Sequence, residues 1–258
     1  MLINFSLMPI EKIQPWGKAG DYRLSWFGLT DGMYWIQAGN STLFEYSELA
    51  RAAGSSRYCD YQVVRLYEDL MDMLPSILEP IPVAFVRYIA GESAAAWRET
   101  YGNWCDRNAD STDDDGFFRI VESASTWTGR RRLDTAYLSP STNIVIWSDT
   151  ESIHFEWDNR KNYFDGKPAW SALHGTYQIT RETFMEEIRS FHVRLMAQMS
   201  ERVKQVISGA LSPGIKIDLP GLTREHDQRS RILDEVLSSP VSTDWQEVGR
   251  SILAVLNT

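Results

Sequence analysis

The chain has 258 residues, 43% hydrophobic and 24% charged, with 26 basic against 35 acidic side chains and a net charge of −9. These proportions exclude disordered, collagen-like and coiled-coil chains. The acidic balance argues against a nucleic-acid-binding face, which needs clustered lysine and arginine.

In chain order, the segment Met1 to Leu7 has no positive region, and Pro9 and Glu11 interrupt its apolar run, so no signal peptide is expected. Residues 22–38 predict a β-hairpin: Leu24–Leu29 and Met33–Ile36 are aromatic-rich runs, and Asp31-Gly32 between them suits a tight turn. Leu43–Tyr46 would add a third strand. Over 60–78 the apolar residues Val63, Val64, Leu66, Tyr67, Leu70, Met71 and Leu74 recur at helical spacing, and Pro75 is expected to end or kink that helix. A connector rich in proline leads to the short apolar segment 83–89, itself far too broken for a membrane span. Trp97, Tyr101 and Trp104 form one stripe of a helix over 93–105, read as core packing. A polar loop, 108–115, precedes a further helix over 117–127.

From residue 133 the period changes to two. Residues 143–147 and 152–158 read as strands, the second alternating Ile153, Phe155 and Trp157 against His154, Glu156 and Asp158. Over 180–208, Phe184, Ile188, Phe191, Leu195 and Met199 make the longest helical stripe, with Thr180 placed as N-cap and Gly209 and Pro213 as stops. Two shorter helices, 223–238 and 243–256, close the chain. Helices and strands segregate, so the fold class is α+β: mainly antiparallel sheet packed against a long helix (about 180–208) and several shorter ones. The expectation is one domain over 1–258, with 130/131 as the place where it would divide.

The opening Phe5-Ser6-Leu7-Met8-Pro9, Ile13-Gln14-Pro15-Trp16-Gly17 and Leu24-Ser25-Trp26-Phe27-Gly28-Leu29-Thr30-Asp31-Gly32 resemble a family of bacterial proteins of unknown function. Its members are similar in length and share the Pro-Trp-Gly and Ser-Trp-Phe-Gly-Leu-Thr-Asp-Gly signatures. The resemblance extends through the 142–207 block and carries no established activity. As a class, small acidic proteins of this kind look like immunity partners of antibacterial toxins, which implies a protein partner.

Charge is uneven: residues 1–130 carry 18 acids and 11 bases, residues 131–258 carry 17 and 15. An acidic N-terminal half would steer a basic partner, and Asp110, Asp113, Asp114 and Asp115 are its densest cluster. The competing reading is a solvated acidic surface. Spacing also places Asp113, Asp115 and Glu122 at calcium-loop positions around Gly116, but Ser111 stands where a carboxylate is needed. His154, Glu156 and Asp158 share one strand face and, with His174 in a loop, could assemble acid/base chemistry; a polar sheet face is the simpler account. Arg130-Arg131-Arg132 could grip a phosphate or carboxylate, or cap its helix and pair with acids. His192 and His226 read as helix-surface residues.

No phosphate loop, dinucleotide fingerprint, zinc-protease motif or nucleophile elbow is present. Cys59 and Cys105, with no short-range pairing, exclude a disulfide framework and indicate a reducing, cytoplasmic setting. The expectation is therefore a cytoplasmic binding protein with no cofactor, more a neutraliser of a basic toxin than an enzyme. A hydrolase or transferase on the His154/Glu156/Asp158 face is the alternative, and a small-ligand sensor lined by Trp26, Trp35 and Trp157 a third.

Overall fold

The computed structural model describes residues 1–109 and 114–257. The chain begins with β1 (Ile3–Leu7) and the two-residue β2 (Tyr22–Arg23), then runs through β3 (Gly32–Ala38) and β4 (Ser41–Leu43). Next come α1 (Glu48–Ala52), β5 (Cys59–Asp60), α2 (Val63–Leu78), α3 (Val83–Val86), α4 (Gly91–Asn108) and α5 (Asp114–Gly129). The second half holds β6 (Ile144–Ser148), β7 (Ser152–Asp158), β8 (Tyr163–Phe164), β9 (Lys167–Pro168) and β10 (His174–Thr180). It ends with α6 (Arg181–Ile207), β11 (Ile215–Lys216), α7 (Leu219–Arg229), α8 (Ile232–Leu237) and α9 (Trp245–Leu256). The class is α+β. The two larger sheets are antiparallel: β1-β3-β4 with β5 also on β3, and β10-β7-β6.

The hairpin expected over 22–38 does not form. Gly28–Thr30 winds into a 3-10 turn, and β3 pairs with β1 at the N-terminus, Phe5 opposite Tyr34 and Leu7 opposite Gly32. Asp31 is extended at φ −52° and ψ 134°, so no tight turn begins there. Gly32 serves close approach of strands: a Cβ on it would lie 2.3 Å from the Ser6 carbonyl oxygen. The Ser-Trp-Phe-Gly-Leu-Thr stretch is thus a buried joint. Trp26, Leu29 and Thr30 have no exposed surface. Thr30 Oγ1 accepts from Val64 N–H at the start of α2, and Arg202 of α6 donates to the Leu29 carbonyl at 2.6 Å.

Pro75 does not end α2. It lies in the last turn, and the helix stops at Leu78; so near the end, a missing N–H forfeits one helical hydrogen bond. The helix expected over 223–238 is two, α7 and α8, separated at Ser230 and Arg231, where the Ser230 hydroxyl donates to the His226 carbonyl. The long helix matches its pattern. Thr180 Oγ1 accepts from Thr183 N–H, and Phe184, Ile188, Phe191, Leu195 and Met199 are all fully buried.

β6 positions everything that follows. All five of its residues are buried because each of its faces meets a core. Ile144 and Ile146 join a large cluster with β1, β3, β7, α2 and α6. Val145 and Trp147 point the other way, into a second cluster built from α4, α5 and α9 with Ile81 and Ile89. β7 shares the first core through Ile153, Phe155 and Trp157, so its alternate residues face the side on which α4 lies.

Candidate functional site

His154, Glu156 and Asp158 lie, as the alternation requires, on the half-buried face of β7. Pairing with β6 puts Trp147 opposite His154 and Val145 opposite Glu156, while β10 puts His174 opposite Asp158. His174 is therefore the first residue of a strand, exposed, and the loop expected around it is absent.

The three residues make separate contacts. The His154 ring stacks on Trp147, centroids 4.1 Å apart, and its Nε2 lies 2.8 Å from Asp149 Oδ2. Asp149 also accepts from the Glu151 and Ser152 N–H groups, closing the turn between β6 and β7. Burial pushes the Asp149 carboxyl up, but those two amides and the His154 ring outweigh it and hold it below its ordinary value. Glu156 turns to α4 instead: its two oxygens accept from Gly91 N–H at 2.8 and 3.0 Å. Ala90 offers no side-chain cap, so a sheet carboxylate caps this helix, where the macrodipole favours negative charge. Asp158 pairs with Arg160 through Nε at 2.9 Å and Nη2 at 2.8 Å. Those hydrogen bonds are the main reason its carboxyl is pulled down to about 2.

A cavity of about 360 Å³ opens between β7 and the start of α4, lined by Glu156, Asp158 and His174 together with Glu92, Arg98 and Arg160. Beside it Arg132 donates to Asn143 Oδ1; burial first, then the nearby Arg98 charge, lowers its guanidinium from the ordinary range, while Glu156 opposes the shift. Sequence reasoning missed Arg98 and Gly91. A helix cap supplied from another element leaves no local pattern, and Arg98 sits on the solvent face of a helix read only for its tryptophans. His154 does not line the cavity.

Asp158 is held ionised, and both Glu156 oxygens are bound to a backbone amide. Among the described residues, no three His, Cys, Asp or Glu side chains stand close enough together to hold a metal ion. The model described as a family of unknown function (DUF5984) matches residues 2–251. The chain belongs to that family. No curated protein and no solved structure matches it.

The remaining expectations divide. Asp110 and Asp113 lie outside the described residues, as does the side chain of Asp114. Asp115 is exposed in the first turn of α5. The calcium loop is corrected: residues from Asp114 onward are helical, so Asp115 and Glu122 stand about two turns apart along α5 and cannot wrap one ion. Arg131 is 1% exposed, donating to the Trp127 carbonyl and to Glu79, so it caps α5 and pairs with an acid. His192 and His226 are half-buried and bonded, to the Tyr67 hydroxyl at 2.8 Å and to Trp26 Nε1 at 3.4 Å, so neither is a surface residue. Trp26, Trp35 and Trp157 form no common lining: Trp26 is fully buried against His226, Trp35 stacks on Tyr58, and Trp157 belongs to the other sheet.

A second polar group sits inside the large core. Tyr34 and Tyr137 hydroxyls are 3.0 Å apart, and Tyr137 donates to Asp69 Oδ2 at 3.2 Å. Burial pushes Asp69 up to about 7 against the opposing charge of Arg65 and the Tyr137 hydrogen bond. Cys59, also raised to about 12 by burial, is an unreactive thiol.

Proposed function

We propose that this chain is a non-catalytic binding protein that acts by covering a basic macromolecular partner. The observation that carries the reading is that the ionisable groups of the β7 face are each bound to a neighbour: His154 to Asp149, Glu156 to the start of α4, Asp158 to Arg160. Its net charge of −9 would steer a cationic partner and give the association a salt dependence. In its finer form the partner is a cognate bacterial toxin, met by the acidic stretch Asp110, Asp113, Asp114 and Asp115 in a reducing cytoplasm. The function needs no cofactor.

The experiment is co-expression of the tagged chain with the products of neighbouring genes, captured at low and then rising salt. The reading expects a stoichiometric complex with one basic protein, released as salt rises, and growth protection when that protein is toxic. Failure to form a complex with any of them contradicts it.

A second reading keeps one observation in its favour: Glu156, Asp158 and His174 share a cavity with Arg98. As a hydrolase or transferase site it would lose turnover in Asp158→Asn and His174→Ala while the fold stayed intact.

A further inference from the structure

Between α5 and β6 the chain passes through residues 132–143 outside helix and strand, and this stretch is tied across its neck. Arg132 donates to Asn143 Oδ1; Thr135 Oγ1 donates to the Thr142 carbonyl at 2.9 Å and accepts Thr142 N–H at 2.8 Å. A loop whose ends are fastened to each other is a compact unit, separable from the elements it joins. Two contacts dock it on the body of the protein. The Ser141 carbonyl accepts from Asn162 Nδ2 at 2.6 Å and from Trp170 Nε1 at 3.2 Å. Tyr137 packs its ring on Tyr61, centroids 4.7 Å apart, and donates its hydroxyl hydrogen to Asp69 Oδ2 on α2 at 3.2 Å.

The second contact is sensitive to charge. Asp69 is 7% exposed, and among the described residues that hydroxyl is its one hydrogen-bond donor. Arg65 stands 3.6 Å from Oδ1, shared with Asp134 of the loop at 3.6 Å and with Glu68 at 3.8 Å. Glu68 is also paired with Arg229 of α7 at 2.7 Å. From β3 and β5 the cluster meets Tyr34 and Cys59, acids that burial raises and keeps neutral. A buried carboxylate with one donor and a shared arginine is under-satisfied, whereas the neutral acid needs less. Burial accordingly pushes Asp69 up to about 7; Arg65 and Tyr137 oppose the shift, and Asp134 and Glu68 add to it. We infer that residues 134–142 form a pH-operated flap, docked on α2 while Asp69 is protonated and lifted about the Thr135–Thr142 neck when Asp69 ionises, so that water reaches the carboxylate. Lifted, the group returns to its ordinary 3.8, so opening releases a proton between that value and about 7. Docking is therefore strongest below 3.8, weakens as pH rises towards 7 and is level above it. Asn143, at the neck, lines the cavity beside β7, so the flap adjoins that hollow.

The test is hydrogen exchange of the full chain, labelled with nitrogen-15, across about pH 5 to pH 8, each rate divided by its unstructured reference at that pH. The Trp170 indole N–H, whose acceptor Ser141 rides on the flap, reports opening; the Leu195 amide, deep in α6, reports global unfolding. The indole is expected to exchange faster than Leu195 throughout, to accelerate about tenfold or more from about pH 5 to pH 7, and then to level off. In Asp69→Asn, which keeps the shape of the neutral acid, the acceleration is expected to vanish. If that variant does not fold, Tyr137→Phe decides with the wild-type profile: without the docking hydroxyl, the indole is expected to exchange about tenfold faster already at about pH 5. The inference is overturned if the corrected indole rate is the same at both ends of the range, if the acceleration persists in Asp69→Asn, or if Tyr137→Phe leaves the rate unchanged. It is equally overturned if Trp170 and Leu195 exchange at one common rate, because the opening is then global.

Discussion

On one face of β6 two of three buried tryptophans, Trp26 and Trp170, find an acceptor for the indole N–H; on the other, Trp104, Trp127 and Trp147 find none. In the large core, Trp26 donates to His226 and Trp170 to the Ser141 carbonyl, while Trp157 Nε1 has no protein partner. In the second core, Trp104, Trp127 and Trp147 are all buried without a protein partner for Nε1. The same residue type therefore plays two parts. In the first core Trp26 and Trp170 tie elements together by shape and hydrogen bond; in the second Trp104, Trp127 and Trp147 act through ring contacts such as Trp104 on Phe117 at 5.6 Å.

The largest effect should come from the large core. Phe191→Ala, at the centre of the α6 stripe and in contact with Phe5 and Tyr67, should cost about 3–5 kcal/mol by chemical denaturation. A loss under about 1 kcal/mol would mean that α6 is not the spine of that core.

Asp69 gives the large core a pH signature. Its carboxyl is raised in the fold, so its contribution is complete below the unfolded value near 3.8 and is lost as pH rises through about 7. Between about pH 5 and pH 8 the protein should lose on the order of 2 kcal/mol from this group. Asp69→Asn should flatten that slope, and denaturation across the interval measures it.

Glu156→Ala removes the cap of α4 and should cost about 1 kcal/mol. Hydrogen exchange should accelerate most in the first turn of α4, from Gly91. An effect spread evenly over the chain would show that Glu156 supports the sheet instead.

The contrast between cores can be sharpened with two matched substitutions. Trp170→Phe loses a hydrogen bond at 3.2 Å to the Ser141 carbonyl, whereas Trp104→Phe loses none. The first should therefore be the costlier by about 1 kcal/mol. Equal costs would erase the distinction. The smallest effect is expected from Arg160→Ala, at an exposed ion pair: no measurable change in Tm, with the Asp158 titration moving up from about 2 when followed by NMR.

Where a pattern repeats, the sequence was legible. The i, i+4, i+7 stripe from Phe184 to Met199 and the alternation from Ile153 to Asp158 predict their elements because burial of one face forces the period. Asp31-Gly32 misled because the same glycine that permits a hairpin turn also permits two strands to approach, and only the Ser6 carbonyl distinguishes them. The candidate site was half legible. Alternation places Glu156 and Asp158 on one face, yet it says nothing of Gly91 N–H, Arg160 or Asp149, the groups that decide what each carboxylate does. Arg131 shows the same limit: capping and pairing with an acid were legible in the run of three arginines, but not that the acid would be Glu79, 52 residues earlier in the chain, nor that the middle arginine would be buried.

The most direct test of the central claim is capture of a partner by the wild-type chain and by a variant carrying Asp158→Asn and His174→Ala together, at matched low and high salt. The account predicts the same basic protein on both chains, in equal amount, falling as salt rises. A variant that captures its partner normally but abolishes a chemical turnover seen with the wild type would contradict it.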